Sequence, residues 1–366
     1  MKIVHLTVTR QLTAGQAKQL AFEHAASRVL KEADWTTIAV HDGKITQPFM
    51  KSVPVLMRGQ FRRKLYGWIL ALRLSRKYDV VMMRHMTFDP FAFIFASLIR
   101  NRVSVHHAKE IEELRLIRQG WKGWAASTLE RFSGRFAVRR TKMILGVTQE
   151  IADYERDLHC PNKPVGSYPN GIDSNSIHLL DDNRRQGEIH AAFMCGTFSS
   201  WHGLDKLIDA VDVHEAGGDE LPLTIHLVGR LSEEQVDHLK ATARRRAVFT
   251  CHGPLDEAQY RPILAGCDVG IASLALERKN LTEASTLKVR EMLAMGLPVY
   301  SGHDDVALPS GKRFVTIVKD IRASDLRNFA VATKNLSRLD IRKESLPHIE
   351  KIGSLRKAAQ YLTNGL

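Results

Sequence analysis

The chain has 366 residues, 44% of them hydrophobic and 25% charged, with a net charge of +13. That is the make-up of a soluble globular protein with room for two domains. The most apolar run, Phe91 to Ile99, is too short to span a bilayer. The opening MKIVHLTVTR has no long apolar region, so no signal peptide is expected. Cys160, Cys195, Cys251 and Cys267 have neither CxxC nor metal-ligand spacing and read as reduced thiols of a cytoplasmic protein.

In chain order, Lys2–Val8 reads as a strand, followed by a turn at Ala14-Gly15 and a helical pattern through Leu30. Strand-like runs return at Thr36–His41, Asp79–Met83, Arg102–Val105 and Met143–Val147. Short apolar runs alternating with helical segments predict a parallel sheet with crossover helices. A polar segment, 173–187, reads as a linker, making 1–172 a first domain. A second series follows: Ile189–Gly196, Leu223–Gly229, Ala247–Gly253, Cys267–Ser273, the stretch LPVYSG, and Phe314–Val318. Residues 188–345 are thus a second α/β domain, and 346–366 a helical segment expected to pack back on the first. Paired doubly wound domains commonly bind a ligand where their strand ends face a shared cleft.

The stretch LTEASTLKVREMLAMGLPVY, Leu281 to Tyr300, carries two glutamates, Glu283 and Glu291, with Lys288 between them. A helix starting near Ser285 would put Lys288 and Glu291 on one face and Glu283 in the loop before it. Its N-terminus, with unpaired N–H groups, suits a phosphate, and Lys288 adds a charge there. By spacing alone, a solvated helix with Glu and Lys on its outer face is the better reading, since a Glu-x7-Glu pair is common by chance.

The surrounding motifs decide between these. Glu283 and Glu291 form a Glu-x7-Glu pair, followed by Glu291-Met292-Leu293-Ala294-Met295-Gly296-Leu297-Pro298-Val299. SYPNGID (Ser167 to Asp173), FMCGTFSSWHGLDKLIDAV (Phe193 to Val211) and LAGCDVGIASL stand in order before it. Together these resemble the retaining glycosyltransferases of the GT-B fold, specifically glycosyltransferase family four. The resemblance covers the linker and nearly all of the second domain and is weaker over the first 160 residues. It implies two Rossmann-like domains facing a cleft and transfer of a sugar from a nucleotide sugar with retention of anomeric configuration.

The resemblance also implies roles. Glu291 would bind the ribose and Glu283 the donor sugar near its anomeric carbon. Lys288, Ser285, Thr286 and Leu287 at the helix start, with Gly196, Thr197, His202 and Arg230, would hold the donor. The family has an Arg after the strand glycine and a Lys before the next glycine, where this chain has Thr197 and His202. A larger share of the diphosphate charge therefore falls to Lys288. In the first domain, Thr13-Ala14-Gly15-Gln16 stands for the family's glycine-rich loop. His106, rather than its neighbour His107, is taken as the family histidine. Gly15, His107 and Arg84 are acceptor-side candidates. No Asp-x-Asp motif stands out, and Asp304-Asp305 reads as a loop pair, so no catalytic metal and no cofactor beyond the donor are expected.

All of the charge excess lies in residues 1–170, with 28 Lys and Arg against 14 Asp and Glu; the remainder holds 25 against 26. Such asymmetry suits an anionic partner. In GQFRRKLYGWILALRLSRK (Gly59 to Lys77), Phe61, Leu65, Trp68, Ile69 and Leu72 form one helical stripe amid basic residues. Trp121 and Trp124 flank Lys122. Basic residues with aromatic anchors suit an anionic membrane surface, and the same stripe suits a core-facing helix side. The acceptor expected is a saccharide or a polyprenyl-diphosphate-linked saccharide of a surface polysaccharide pathway. Two other readings are a GT-B-fold epimerase or nucleotide-sugar-binding protein, and a basic nucleic-acid-binding protein. For the last, no helix-turn-helix, zinc-finger or RNP-like motif appears.

Overall fold

A computed structural model of the chain describes residues 1–118, 120–212, 221–309 and 311–364. The chain divides into two compact units, Met1–Asp173 with Glu350–Leu366, and Ser174–Ile349.

The first unit is built on seven strands: β1 (Lys2–Val8), β2 (Asp34–His41), β3 (Met50–Ser52), β4 (Val80–Arg84), β5 (Arg102–His106), β6 (Met143–Gly146) and β7 (Val165–Ser167). They pair in the order β3-β2-β1-β4-β5-β6-β7, every pairing parallel. Its helices are α1 (Ala14–Ser27), α2 (Gln60–Leu74), α3 (Ala92–Phe95), α4 (Glu110–Ile117), α5 (Trp121–Arg139) and α6 (Gln149–His159). The strands are near-continuous apolar runs because a parallel sheet is covered on both faces. Alternation along each strand sends Ile3, Val103 and Val105 into one core layer. It sends Val4, Leu6 and Val81 into the other, where Trp68 of α2 joins them.

The second unit carries β8 (Ile189–Thr197), β9 (Leu223–Arg230), β10 (Phe249–Gly253), β11 (Val269–Ile271), β12 (Val299–Ser301) and β13 (Val315–Ile317). Their order is β10-β9-β8-β11-β12-β13, again all parallel. Its helices are α7 (Leu204–Asp212), α8 (Glu233–Lys240), α9 (Ala243–Val248), α10 (Glu257–Ala265), α11 (Leu287–Ala294), α12 (Ala323–Thr333) and α13 (Arg338–Ile349). In each sheet the strand order reverses once, between β1 and β4 and between β8 and β11. At such a switch the loops leaving adjacent strands diverge and open a crevice at the strands' C-terminal ends.

Residues 174–187, expected as a linker, are fastened to the second unit by arginines. Arg184 donates to the Lys334 carbonyl at 2.9 Å, Arg342 to that of Ile177 at 2.6 Å, and Arg261 to that of Leu179 at 2.9 Å. The chain returns to the first unit after α13, where the Lys351 N–H donates to the Ile172 carbonyl at 2.8 Å. The last helix, α14 (Lys351–Asn364), lays Leu355, Ala358, Ala359 and Leu362 into the first unit's core. The two strands the sequence pattern did not announce, β3 and β7, are three-residue edges, too short to show a period.

Candidate active site

In the second unit, helix α11 lies against β11 so closely that a Cβ on Gly270 would stand 2.4 Å from the Met292 sulfur. The helix begins one residue later than the spacing suggested, with Thr286 at its N-cap. No side chain caps it, and Thr286 Oγ1 is buried without a hydrogen-bond partner. The first N–H groups of α11 are thus left for another acceptor. Its position is pinned by an ion pair: Arg290, fully buried, donates to both Asp305 oxygens at 2.6 and 2.9 Å. Asp305, read from sequence as half of a loop pair, is therefore the anchor of this helix.

Lys288 lies on the first turn. Its ammonium sits 3.6 Å from Cys195 Sγ and 5.2 Å above the Phe193 ring, both on β8. Burial lowers its pKa, and only Cys195 acts in the other direction. Among the described residues no carboxylate is paired with it. Burial in turn raises the Cys195 thiol, against the pull of Lys288.

His202 stands in the turn after β8. Its Nδ1 accepts from the Ser199 N–H at 2.9 Å, which leaves the proton on Nε2. Burial, and then the Lys288 charge, push its pKa down to about 4, so it is a neutral donor near pH 7. The turn closes through Gly203 at φ 72°, where a Cβ would meet Ala275 and Leu274 at about 3 Å. The facing loop is tied to it by Arg278, which donates to both carboxylate oxygens of Asp205 at 2.9 and 2.5 Å. Gly196 opens on free space, and Thr197 pairs in register with the exposed Arg230.

Glu283 lies in the loop before α11, half-buried and bridged to Asp304. Ser285 is buried, and Leu287, the first residue of the helix, is half-buried. Glu291, one turn beyond Lys288, lies close enough to Tyr260 for its charge to help raise that phenol. Lys288 and His202 are thus brought together at the end of β8, with the two glutamates on the segment that carries the lysine. His303, after β12, was not singled out by the sequence. It is buried, its Nδ1 donates to the Asp304 carbonyl at 3.1 Å, and its Nε2 has no partner. Burial is the main cause of its lowered pKa, and the Lys288 charge contributes. Its one sequence signal is its place just after LPVYSG.

In the first unit a cavity of about 870 Å³ opens at the ends of β1, β4 and β5, at the switch point. Arg10, Arg58, Lys64, Arg84 and Arg118 line it, against Asp42, Glu110 and Glu113. Burial lowers the pKa of Arg84. His107 also lines this cavity, and burial with the Arg84 charge holds its imidazole neutral. His106, the residue favoured from sequence, points the other way because side chains alternate at the strand end. It is fully buried, 2.8 Å from Ser104 Oγ and 3.1 Å from Glu110, and stacked on His85 at 4.6 Å. Burial pushes its pKa down to about 3. Gly15 lies in the first turn of α1, which Thr13 and Gln16 cap reciprocally. A side chain there would meet open space, so nothing local requires glycine.

Among the described residues, His106, Glu110 and Glu155 place ligand-type atoms within 4.8 Å of one another. Burial raises both glutamates to about 6. His85 is instead raised to about 9: burial opposes its charge, but the hydrogen bond to Glu130 at 2.7 Å and the charges of Glu130, Glu110 and Glu155 together outweigh it. His106, Glu110 and Glu155 are buried, and Glu110 and His85 also border the basic cavity.

The basic helix α2 turns Gly67, Trp68, Ala71 and Leu74 into the core and leaves Phe61 exposed. Of its apolar stripe, Trp68 is buried and Leu72 packs against the core, while Leu65 and Ile69 are half-buried. Among the described residues, no helix is long and apolar enough to cross a membrane.

No protein-family model and no curated protein match the chain. Solved structures do. A structure of HepE from Anabaena in complex with UDP and glucose superposes with a TM-score of 0.60 at 15% identity, covering 100% of both chains. Sucrose-phosphate synthase from Thermosynechococcus elongatus gives 0.64 at 12%, covering 100% of this chain and 99% of that one. The lipopolysaccharide outer core galactosyltransferase WaaB, in its apo form, gives 0.58 at 8%, over 99% and 100%. At these identities the likeness is one of fold, and the fold is that of the GT-B glycosyltransferases.

Proposed function

We propose that the protein is a retaining glycosyltransferase that moves a sugar from a nucleotide sugar to a saccharide or polyprenyl-diphosphate-linked acceptor in surface polysaccharide biosynthesis. The observation that carries this is Lys288, a half-buried cation held by a thiol and an aromatic face at the uncapped start of α11. A diphosphate is the partner such a group lacks. HepE and its relatives support the reading by sharing the fold, and HepE binds UDP.

In this reading the second unit holds the donor. Lys288, the N–H groups at Thr286 and Leu287, and the Nε2–H of His202 face the diphosphate. Glu291 takes the ribose, Glu283 the sugar. The bond from the anomeric carbon to the phosphate oxygen breaks, and the acceptor oxygen bonds to that carbon on the same face. The acceptor's proton passes to the departing phosphate, so no side-chain base is needed. Donors aimed at the leaving group supply the main stabilisation. The basic cavity of the first unit, with His107 and Arg84, receives the acceptor. No catalytic metal or further cofactor is assigned, and no nucleic acid. The excess positive charge of the first unit meets the anionic inner face of a membrane, with the enzyme cytoplasmic or peripheral.

Calorimetry with UDP, GDP, ADP and CMP, using wild type and Glu291→Ala, tests this. Binding of one nucleoside diphosphate, weakened at least about tenfold in the variant, is expected for a lost ribose contact. Absence of binding to all four overturns it. Donor consumption without any acceptor would favour the epimerase reading.

A further inference from the structure

Helix α5 is built inside out. The side it packs inward carries Gly123, Ala126, Ser127, Gly134, Ala137 and Val138. These are small because the neighbours are close: a Cβ on Gly123 would stand 1.7 Å from the Arg118 carbonyl oxygen. The side it turns outward carries the large apolar groups. Trp121 is 75% exposed and Trp124 66%, and Leu129 and Phe132 follow along the same face. Phe93 and Ile94 of helix α3 and Leu98 in the turn after it are likewise more than half exposed. The Phe93 ring meets Phe136 edge-on at 5.1 Å, and Phe136 meets Phe132 at 5.4 Å. A continuous aromatic surface of this kind is not explained by the packing of the unit.

Charge identifies what covers it. The exposed charges of α5 are Lys122, Arg131, Arg135 and Arg139. Its one acidic residue, Glu130, is buried and occupied by His85 and the Phe88 N–H. Asp157, which lies beside the three arginines, is bound by Arg156 at 2.8 Å. A helix of 19 residues, about 28 Å long, with tryptophans and phenylalanines on its outer face and only cations among its own exposed charges has the chemistry of an interfacial anchor.

We infer that the exposed face of α5 and α3 seats on an anionic bilayer, lying in its headgroup region without crossing it. An apolar groove of about 530 Å³, walled by Phe88, Trp121 and Leu129, opens beside this face. It shares Phe88 and Arg118 with the basic cavity. On the proposed reading of the chain as a transferase, a lipid-linked acceptor would pass from the bilayer along this groove.

The test is co-sedimentation with vesicles of phosphatidylcholine alone and of phosphatidylcholine with phosphatidylglycerol. Wild type is compared with a Trp121→Ser, Trp124→Ser, Phe132→Ser variant and with an Arg131→Gln, Arg135→Gln, Arg139→Gln variant. Far-ultraviolet circular dichroism and nucleotide calorimetry check that both variants remain folded. Wild type is expected to bind the anionic vesicles at least about tenfold better than the neutral ones, and each variant to lose about tenfold or more. Lys288→Met is expected to sediment like wild type, so a wrong donor site leaves this result unchanged. No binding by wild type, or full binding by the aromatic variant, overturns the inference. So does a lipid-free dimer that the aromatic variant dissociates, because a second copy would then be the cover.

Discussion

Each unit holds a lysine over an aromatic ring, and the two are treated differently. In the first unit Lys351 is fully buried, 3.6 Å from the centre of the Tyr168 ring, with its ammonium 3.3 Å from the Pro169 carbonyl. Its charge acts on Glu23, a buried carboxylate that also accepts from Thr37, Trp35 and Tyr168 and contacts His5. That charge is answered inside the protein. In the second unit, among the described residues, the Lys288 ammonium has a thiol and a phenyl ring as its contacts and no carboxylate paired with it. On the proposed reading, the difference separates a charge that holds the fold from a charge kept for a ligand, since a partly buried cation without an anion costs stability unless something else repays it.

The largest effect should come from removing the answered side. Glu23→Ala would orphan several buried donors at once and is expected to cost about 3–5 kcal/mol in urea unfolding. Burial alone would raise the Glu23 carboxyl, but His5 and the other contacts hold it at about 2. A depressed carboxyl contributes stability above its unfolded value of 4.5, and that contribution is lost as pH falls toward 2. The acid limb of unfolding should therefore flatten in the variant; an unchanged limb would break the assignment.

Lys351→Met should come next, destabilising by about 1–3 kcal/mol by leaving Glu23 less compensated. A neutral result would place Lys351 in the same class as Lys288 and erase the contrast. The His85–Glu130 pair offers a third check, at alkaline pH. His85 is raised from 6.5 to about 9, so its contribution is complete below 6.5 and lost as pH rises through 9. Urea midpoints measured between pH 6.5 and 9 should fall in wild type and fall less in His85→Gln. The smallest effect is expected at His202, which gives one neutral hydrogen bond. His202→Ala should weaken nucleotide binding by about fivefold. Because its pKa is about 4, the wild-type affinity should show no step from this group between pH 5.5 and 8.

How much of this was legible depends on how far each partner lies along the chain. The strands, the switch from first to second unit and the helix carrying Lys288 are local patterns, and the spacing of apolar runs displayed them. That Thr286 rather than Ser285 stands at the N-cap of α11 is a boundary detail that local capping chemistry does not settle. Arg290 and Asp305 stand 15 residues apart, and nothing in the intervening residues signals that one holds the other. His106 and His107 are equivalent in composition; only the pleat at the end of β5 sends one inward and the other to the cavity. Helix α5 reverses the usual rule, since periodicity assigns large apolar residues to the core, while close packing here admits only small ones. The basic stretch whose stripe suited either a membrane surface or a core-facing side, α2, turns its tryptophan inward, where Trp68 fills the layer beneath the sheet.

The central claim is that Lys288 is kept for an anionic ligand, and one paired measurement on Lys288→Met tests it: calorimetric titration with nucleoside diphosphates, beside thermal unfolding without them. The account predicts affinity lower by about 10- to 100-fold, with stability unchanged or raised by up to about 1 kcal/mol. Unaltered affinity, or a protein destabilised as Lys351→Met is expected to be, would contradict it.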